Sequence, residues 1–187
     1  MPSLSEDERQ ALLRLAREAV TQAVSFDRLP ANILERGVFA EKRGVFVTLH
    51  VLGRLRGCIG VVEPDHLLGE SIVRCAASAA LQDSRFSPMR ADELADLQIE
   101  ISLLSPPFPI RPEEIEIGRH GLLVVRGNQR GLLLPQVATE HHFTAEQFLI
   151  EACRKAQLPP DAWREPDAQI FAFICEVFSD GEHRVAT

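Results

Sequence analysis

Six residues, Leu55-Arg56-Gly57-Cys58-Ile59-Gly60, bring a cation, a sulfur nucleophile and two glycines into one short stretch. Coulomb attraction from a guanidinium favours thiolate over thiol at a neighbouring cysteine. A thiolate attacks carbonyl-like carbons. Glycines such as Gly57 and Gly60 let a ligand or another backbone come close. A cysteine in a strand is also an ordinary buried residue, so the reactive and the structural reading of Cys58 both stay open.

A reactive thiol needs a base, and the chain has six histidines. His120 precedes a glycine at the start of an apolar run, a place where side chains rim a cleft. His50 lies closer to Cys58 in sequence. His141 and His142 are adjacent and point different ways in any regular element, so they make a poor metal pair. With no C-x-x-C pair in the sequence, no metal site is expected. Arg54, Arg56, Arg74, Arg85 and Arg90 crowd the middle of the chain, where converging guanidinium groups suit a carboxylate or phosphate. Arg85 has a rival role, a local pair with Asp83. Phosphate-binding and dinucleotide glycine motifs and the G-x-S-x-G elbow are lacking, and the residues name no cofactor.

The elements that must position these residues are legible from pattern. Ser5 and Glu8 have capping-box spacing, and Leu12, Leu15, Ala16, Ala19, Ala23 and Val24 form one stripe, so residues 6–24 read as an amphipathic helix. Val45, Val47, Leu49 and Val51 alternate with Phe46, Thr48 and His50, the mark of a strand. Leu52-Gly53-Arg54 turns the chain into a second strand carrying Leu55, Ile59 and Val61. Matching Val51 to Leu55 keeps the apolar residues on one face and sets Thr48 opposite Cys58 and His50 opposite Arg56. A bulge at a glycine would shift that register. Asp65 is positioned to cap a helix running to about Leu81. Asp83 to Pro88 reads as a loop, and 97–104 as a third strand. Ser105 to Pro112 is the candidate boundary between two lobes. A hairpin turns at Gly127 to Gly131. Thr144 and Gln147 cap a helix to about Ala156. Ile170 to Phe178 reads as a final strand, covered on both faces because it is nearly all apolar. Helices and hairpins without a βαβ rhythm indicate an α+β fold, a mainly antiparallel sheet flanked by helices, with a second, smaller lobe.

The composition suits an ordinary globular protein. Hydrophobic residues make up 45 % and charged residues 25 % of 187 residues. Twenty Lys and Arg against 27 Asp and Glu leave a net charge of −7, which disfavours generic nucleic-acid binding. The start shows no basic segment leading into an apolar run, and no apolar stretch is long enough for a membrane. A cytoplasmic protein with free thiols, not disulfides, is expected.

The motifs resemble those of the AMMECR-type domain family, whose prokaryotic members are called AmmeMemoRadiSam system protein A. The resemblance rests on Leu55 to Gly60, on Asp83-Ser84-Arg85-Phe86 with Pro88, and on Ile117 to Gly121. Leu133 to Ala138 and the helix ending Arg154-Lys155-Ala156 match as well, so roughly residues 6–178 are covered. It implies a two-lobed α+β fold and an association with a Memo-like protein and a radical SAM protein. Motif positions fall on Arg56, Gly57, Cys58, Gly60, Asp83, Arg85 and His120. The enzymatic reading makes Cys58 the nucleophile or a proton donor and His120 the general base. Arg56, Gly57, Gly60, Asp83 and Arg85 then surround a small anionic substrate in a cleft between the lobes. The alternatives are a non-catalytic subunit working with those partners, and a component of RNA modification. Where many members carry an aromatic before the last helix, this chain reads His141-His142-Phe143.

Overall fold

The computed structural model describes residues 4–31 and 33–181. The chain divides into two compact units, one built from residues up to Leu104 together with those from Glu176 onward, the other from Ser105–Cys175.

In the first unit α1 (Glu6–Phe26) starts at the capping box foreseen from sequence. The Glu8 amide donates to Ser5 Oγ at 3.3 Å and the Ser5 amide to Glu8 Oε2 at 2.9 Å. The helix runs two residues past the expected end and stops where Asp27 turns left-handed at φ 50°. Its buried stripe includes Leu13 and Val20 as well as Leu12, Ala16, Ala19 and Ala23. Strands β1 (Val45–Val51) and β2 (Arg54–Val61) form a hairpin, and β3 (Leu97–Leu104) pairs antiparallel on the other side of β1, in the order β2-β1-β3. Helix α2 (Leu68–Leu81) packs on α1, β1 and β2. Val45, Val47, Leu49, Ile99, Ile101 and Leu103 are fully buried against these helices.

Two local expectations are corrected here. The hairpin loop has two residues, Leu52 at φ 51° and Gly53 at φ 75°. Both lie in the left-handed region, as in the tight turns whose twist matches that of the strands. Val51 therefore faces Arg54 and His50 faces Leu55, with the register shifting between Leu49 and His50. Arg56 becomes the extra residue of a bulge, so it does not lie opposite His50. Pairing recovers beyond it, and Thr48 faces Cys58 as foreseen. The second correction concerns α2. It begins after Leu67, which makes no side-chain cap, and the Leu68 amide donates instead to the Glu41 carbonyl at 2.7 Å. Asp65 is not the cap, because a loop distant in sequence satisfies the first turn.

The second unit contains β4 (Phe108–Pro109), β5 (His120–Arg126), β6 (Gln129–Leu133), α3 (Pro135–Glu140), α4 (Ala145–Lys155) and most of β7 (Gln169–Ser179), whose last residues belong to the first unit. Strands β6 and β7 both pair antiparallel with β5. Thr144 and Gln147 cap α4 reciprocally, and Phe148, Leu149, Ala152 and Cys153 are buried with Leu122 and Val124. Strand β7 is not covered along the whole of either face: Ile174 is exposed on the face of Ala172 and Phe178, and Val177 on the face of Phe173. Among the described residues no helix is long and apolar enough to cross a membrane. All four cysteines are free.

Candidate functional site

Cys58 sits on β2, the edge strand of its sheet segment. It faces Thr48 on β1, and Thr48 Oγ1 donates to Cys58 Sγ at 3.2 Å. The main-chain groups of Cys58 turn outward, off the free edge. Its N–H donates to Asp83 Oδ2 at 2.9 Å, and its carbonyl accepts from Arg85 Nη2 at 3.3 Å. This is the non-hydrogen-bonded kind of antiparallel pair, in which facing side chains stand closest. That closeness lets a threonine hydroxyl reach a cysteine sulfur across the ladder.

The loop after α2 supplies both outward partners. Asp83 is buried, with its side chain 4 % exposed. Its carboxylate accepts four hydrogen bonds, from the Cys58 amide, the Arg85 amide, Arg85 Nε and Arg85 Nη2. The Arg85 guanidinium, and then the Cys58 amide, hold this carboxyl far below the usual carboxylate range. The Arg85 side chain is 55 % exposed. Its charge is reinforced first by the bonds to Asp83, with a smaller contribution from the charge at Asp83. Bidentate pairing to Asp83 fixes the guanidinium plane. Nη1 is left without a bond among the described residues.

Arg56 has a different task. Its side chain is 14 % exposed and is gripped by Glu93 at 2.6 Å and 3.0 Å, while Nη1 donates to the Ser87 carbonyl at 2.8 Å. These bonds raise the affinity of Arg56 for its proton and lower that of Glu93. Arg56 thus ties the end of the Asp83–Ser87 loop to β2, and the bulge is what aims it there. The glycines are explained by close packing. A Cβ on Gly57 would stand 2.0 Å from the Ala79 carbonyl oxygen of α2, and one on Gly60 would stand 2.3 Å from the Phe46 ring lying across it.

Cys58, Arg56, Gly57, Gly60, Asp83 and Arg85 thus belong to one neighbourhood in the first unit. His120 belongs to the second unit. It is 6 % exposed, its Nδ1 accepts from the Glu116 amide at 3.1 Å, and its ring meets Phe108 edge-on at 5.9 Å. In the neutral ring the proton therefore sits on Nε2, which is a donor. Glu93, Ser87 and Phe46 were not singled out from the sequence as partners of the site. Glu93 had one faint signal, three residues after Arg90, whose amide it accepts at 2.8 Å. Among the described residues no group of three or more His, Cys, Asp or Glu is arranged to hold a metal ion.

Known proteins share this frame. The family model described as AMMECR1 matches residues 13–178. A protein of Methanothermobacter thermautotrophicus is 43 % identical over 187 residues, covering 95 % of this chain and 96 % of its own length. A protein of Methanopyrus kandleri is 44 % identical over 189 residues, covering 96 % and 91 %. The crystal structure of an uncharacterized protein from Pyrococcus horikoshii superposes with a TM-score of 0.79 at 37 % identity, covering 94 % of this chain and 93 % of that one. The matched span takes in Arg56, Cys58, Asp83 and Arg85, and the chain belongs to the AMMECR1 family.

Proposed function

We propose that Cys58 acts as a thiolate nucleophile on a small anionic substrate held by Arg85. The observation that carries this reading is the Thr48 hydroxyl donating to Cys58 Sγ at 3.2 Å. That contact fixes where the sulfur lies on the strand. Arg85 adds a positive charge fixed to the same backbone position by its bond to the Cys58 carbonyl. The sulfur lone pair forms the bond to an electron-poor carbon, and the displaced π pair passes to the attached oxygen. Arg85 Nη1 offers hydrogen bonds for that oxygen or for a carboxylate beside it. Asp83 and Arg56 are positioning residues, one for Arg85 and one for the loop that carries it. His120 has no part assigned as a base, since its Nδ1 lone pair is already used.

Thiol reactivity tests the proposal. Burial pushes Cys75 and Cys175 up to about 11, and it also raises Cys153. At neutral pH, below the free thiol value of about 8.5, iodoacetamide should modify Cys58 first. Thr48→Val and Arg85→Gln should each slow that modification severalfold. A Cys58 that reacts no faster than Cys175, or at a rate neither variant changes, ends the nucleophile reading.

A second reading, a subunit that works with Memo-like and radical SAM partners, draws support from another place. Leu29 and Leu34 are exposed and line a cavity of about 290 Å³, and Leu29 and Arg74 also line a second of about 350 Å³. Exposed apolar clusters of this kind are typical of contact surfaces. Co-purification that Leu34→Asp abolishes and Cys58→Ala spares would favour it. The absence of any association at micromolar concentration would remove it.

A further inference from the structure

We propose a second ligand site in the Ser105–Cys175 unit, specific for an aromatic ring that carries a carboxylate or a phosphate. It does not depend on Cys58. The site is a cavity of about 290 Å³ bounded by the end of β6, the end of α3 and the last turn of α4. Leu133 and Val137 give it apolar walls.

One side is an aromatic pair. Helix α3 ends as His142 enters the left-handed region at φ 53°, a conformation that a residue other than glycine adopts at a cost. The turn is fastened by the His142 amide to the Thr139 carbonyl at 3.2 Å and the Phe143 amide to the Ala138 carbonyl at 2.8 Å. Its result is that the rings of His141 and Phe143 stack, with centroids 5.3 Å apart and planes 18° from parallel. Both rings line the cavity. A flat ligand ring meets an apolar floor and an aromatic wall there.

The same cavity is also lined by cations. Arg154 and Lys155 close α4 and line the same cavity. Arg154 is paired with Glu151, which also lines it. Lys155 has no partner among the described residues. Cations in the last turn also complement the helix dipole, which accounts for a lysine there by itself. It does not account for a lysine without a partner among the described residues lining the same cavity as a stacked ring pair and two apolar side chains. That combination matches a ligand with a ring at one end and an anion at the other. An anion approaching Lys155 also meets a pre-paired Arg154 whose Glu151 it can displace.

Two probes separate the sources of that chemistry, benzoate for a small aromatic acid and adenosine monophosphate for a nucleotide. The full chain, labelled with ¹⁵N, is titrated with each up to about 10 mM, the range in which so few ligand atoms bind. Saturable shifts are expected at the amides of Val137, His141, Phe143 and Lys155 with at least one probe. Lys155→Glu should weaken that binding about tenfold, the scale of one partly screened charged contact. Lys155→Arg should restore it, and Phe143→Leu, which keeps the apolar volume, should weaken it severalfold. Benzyl alcohol, the uncharged counterpart, should bind at least tenfold more weakly than benzoate. A well-dispersed spectrum of each variant shows that the fold is intact. No saturable shift with either probe, or binding that Lys155→Glu leaves unchanged, overturns the proposal.

Discussion

Replacing Asp83 by asparagine isolates the charge at the centre of the Cys58 neighbourhood while keeping the side chain's size. The carboxylate takes two backbone N–H groups and two guanidinium N–H groups. Hydrogen bonds to a charged acceptor contribute about 1.5 kcal/mol each at the low end. An asparagine oxygen retains one backbone bond, and its NH₂ faces the remaining donors, so at least one bond of this size is lost. The pair with Arg85 adds at most about 1 kcal/mol, because that guanidinium is half exposed and screened. The expected loss is about 2–3 kcal/mol at pH 7, or a fall of roughly 4–12 °C in Tm for a chain of this length.

The pH dependence separates this cause from a packing defect. An aspartate titrates near 3.9 in an unfolded chain, and the folded state holds Asp83 well below that. The folded protein therefore binds the proton less readily than the unfolded one. Its contribution is complete above about pH 4 and fades as pH falls further towards the depressed folded value. Asparagine does not titrate. Urea unfolding followed by circular dichroism should give a constant gap between variant and parent from about pH 8 to about pH 5, narrowing below about pH 4. A gap below about 0.5 kcal/mol at pH 7, where surface substitutions usually fall, refutes the reasoning. So does a gap that acid leaves unchanged.

Three further outcomes follow from single positions. Gly57→Ala should cost about 3 kcal/mol or more in thermal unfolding, since its Cβ would stand 2.0 Å from the Ala79 carbonyl oxygen and one of two backbones must move. Leu52→Gly should raise stability by about 0.5–1 kcal/mol in the same assay, because Leu52 holds φ 51° with its side chain mostly in solvent. Gln136→Met should raise stability by about 1 kcal/mol, because the buried Oε1 of Gln136 has no hydrogen-bond partner among the described residues and the replacement keeps shape without an acceptor. A Gln136→Met protein less stable than its parent would mean that the oxygen is satisfied.

The parts legible in the sequence are those fixed by short-range chemistry. Both capping boxes form because donor and acceptor lie three residues apart. The alternation from Val45 to Val51 gives the buried face correctly, and parity alone set Thr48 against Cys58. What failed depends on an unusual local turn or on partners far along the chain. Leucine is a poor signal for a left-handed turn, so the two-residue loop and the bulge at Arg56 stayed hidden. Asp65 has the chemistry of a cap, yet Glu41 supplies the acceptor for α2. Around Cys58, residue types named Arg56, Asp83 and Arg85. Only coordinates reveal that Glu93 and Ser87 occupy Arg56, or that the Ala79 carbonyl forbids a side chain at position 57.

The outward bonds of Cys58 matter beyond any chemistry of its sulfur. An unpaired strand margin offers a row of donors and acceptors on which a second chain can grow, the first step towards cross-β assembly. At the midpoint of β2 that row is interrupted, because one carboxylate already holds the N–H and one guanidinium the C=O. Two side chains from a loop thus act as a stopper against self-association. The residues that fasten the Asp83–Ser87 loop to Cys58 therefore also keep this strand from recruiting another copy.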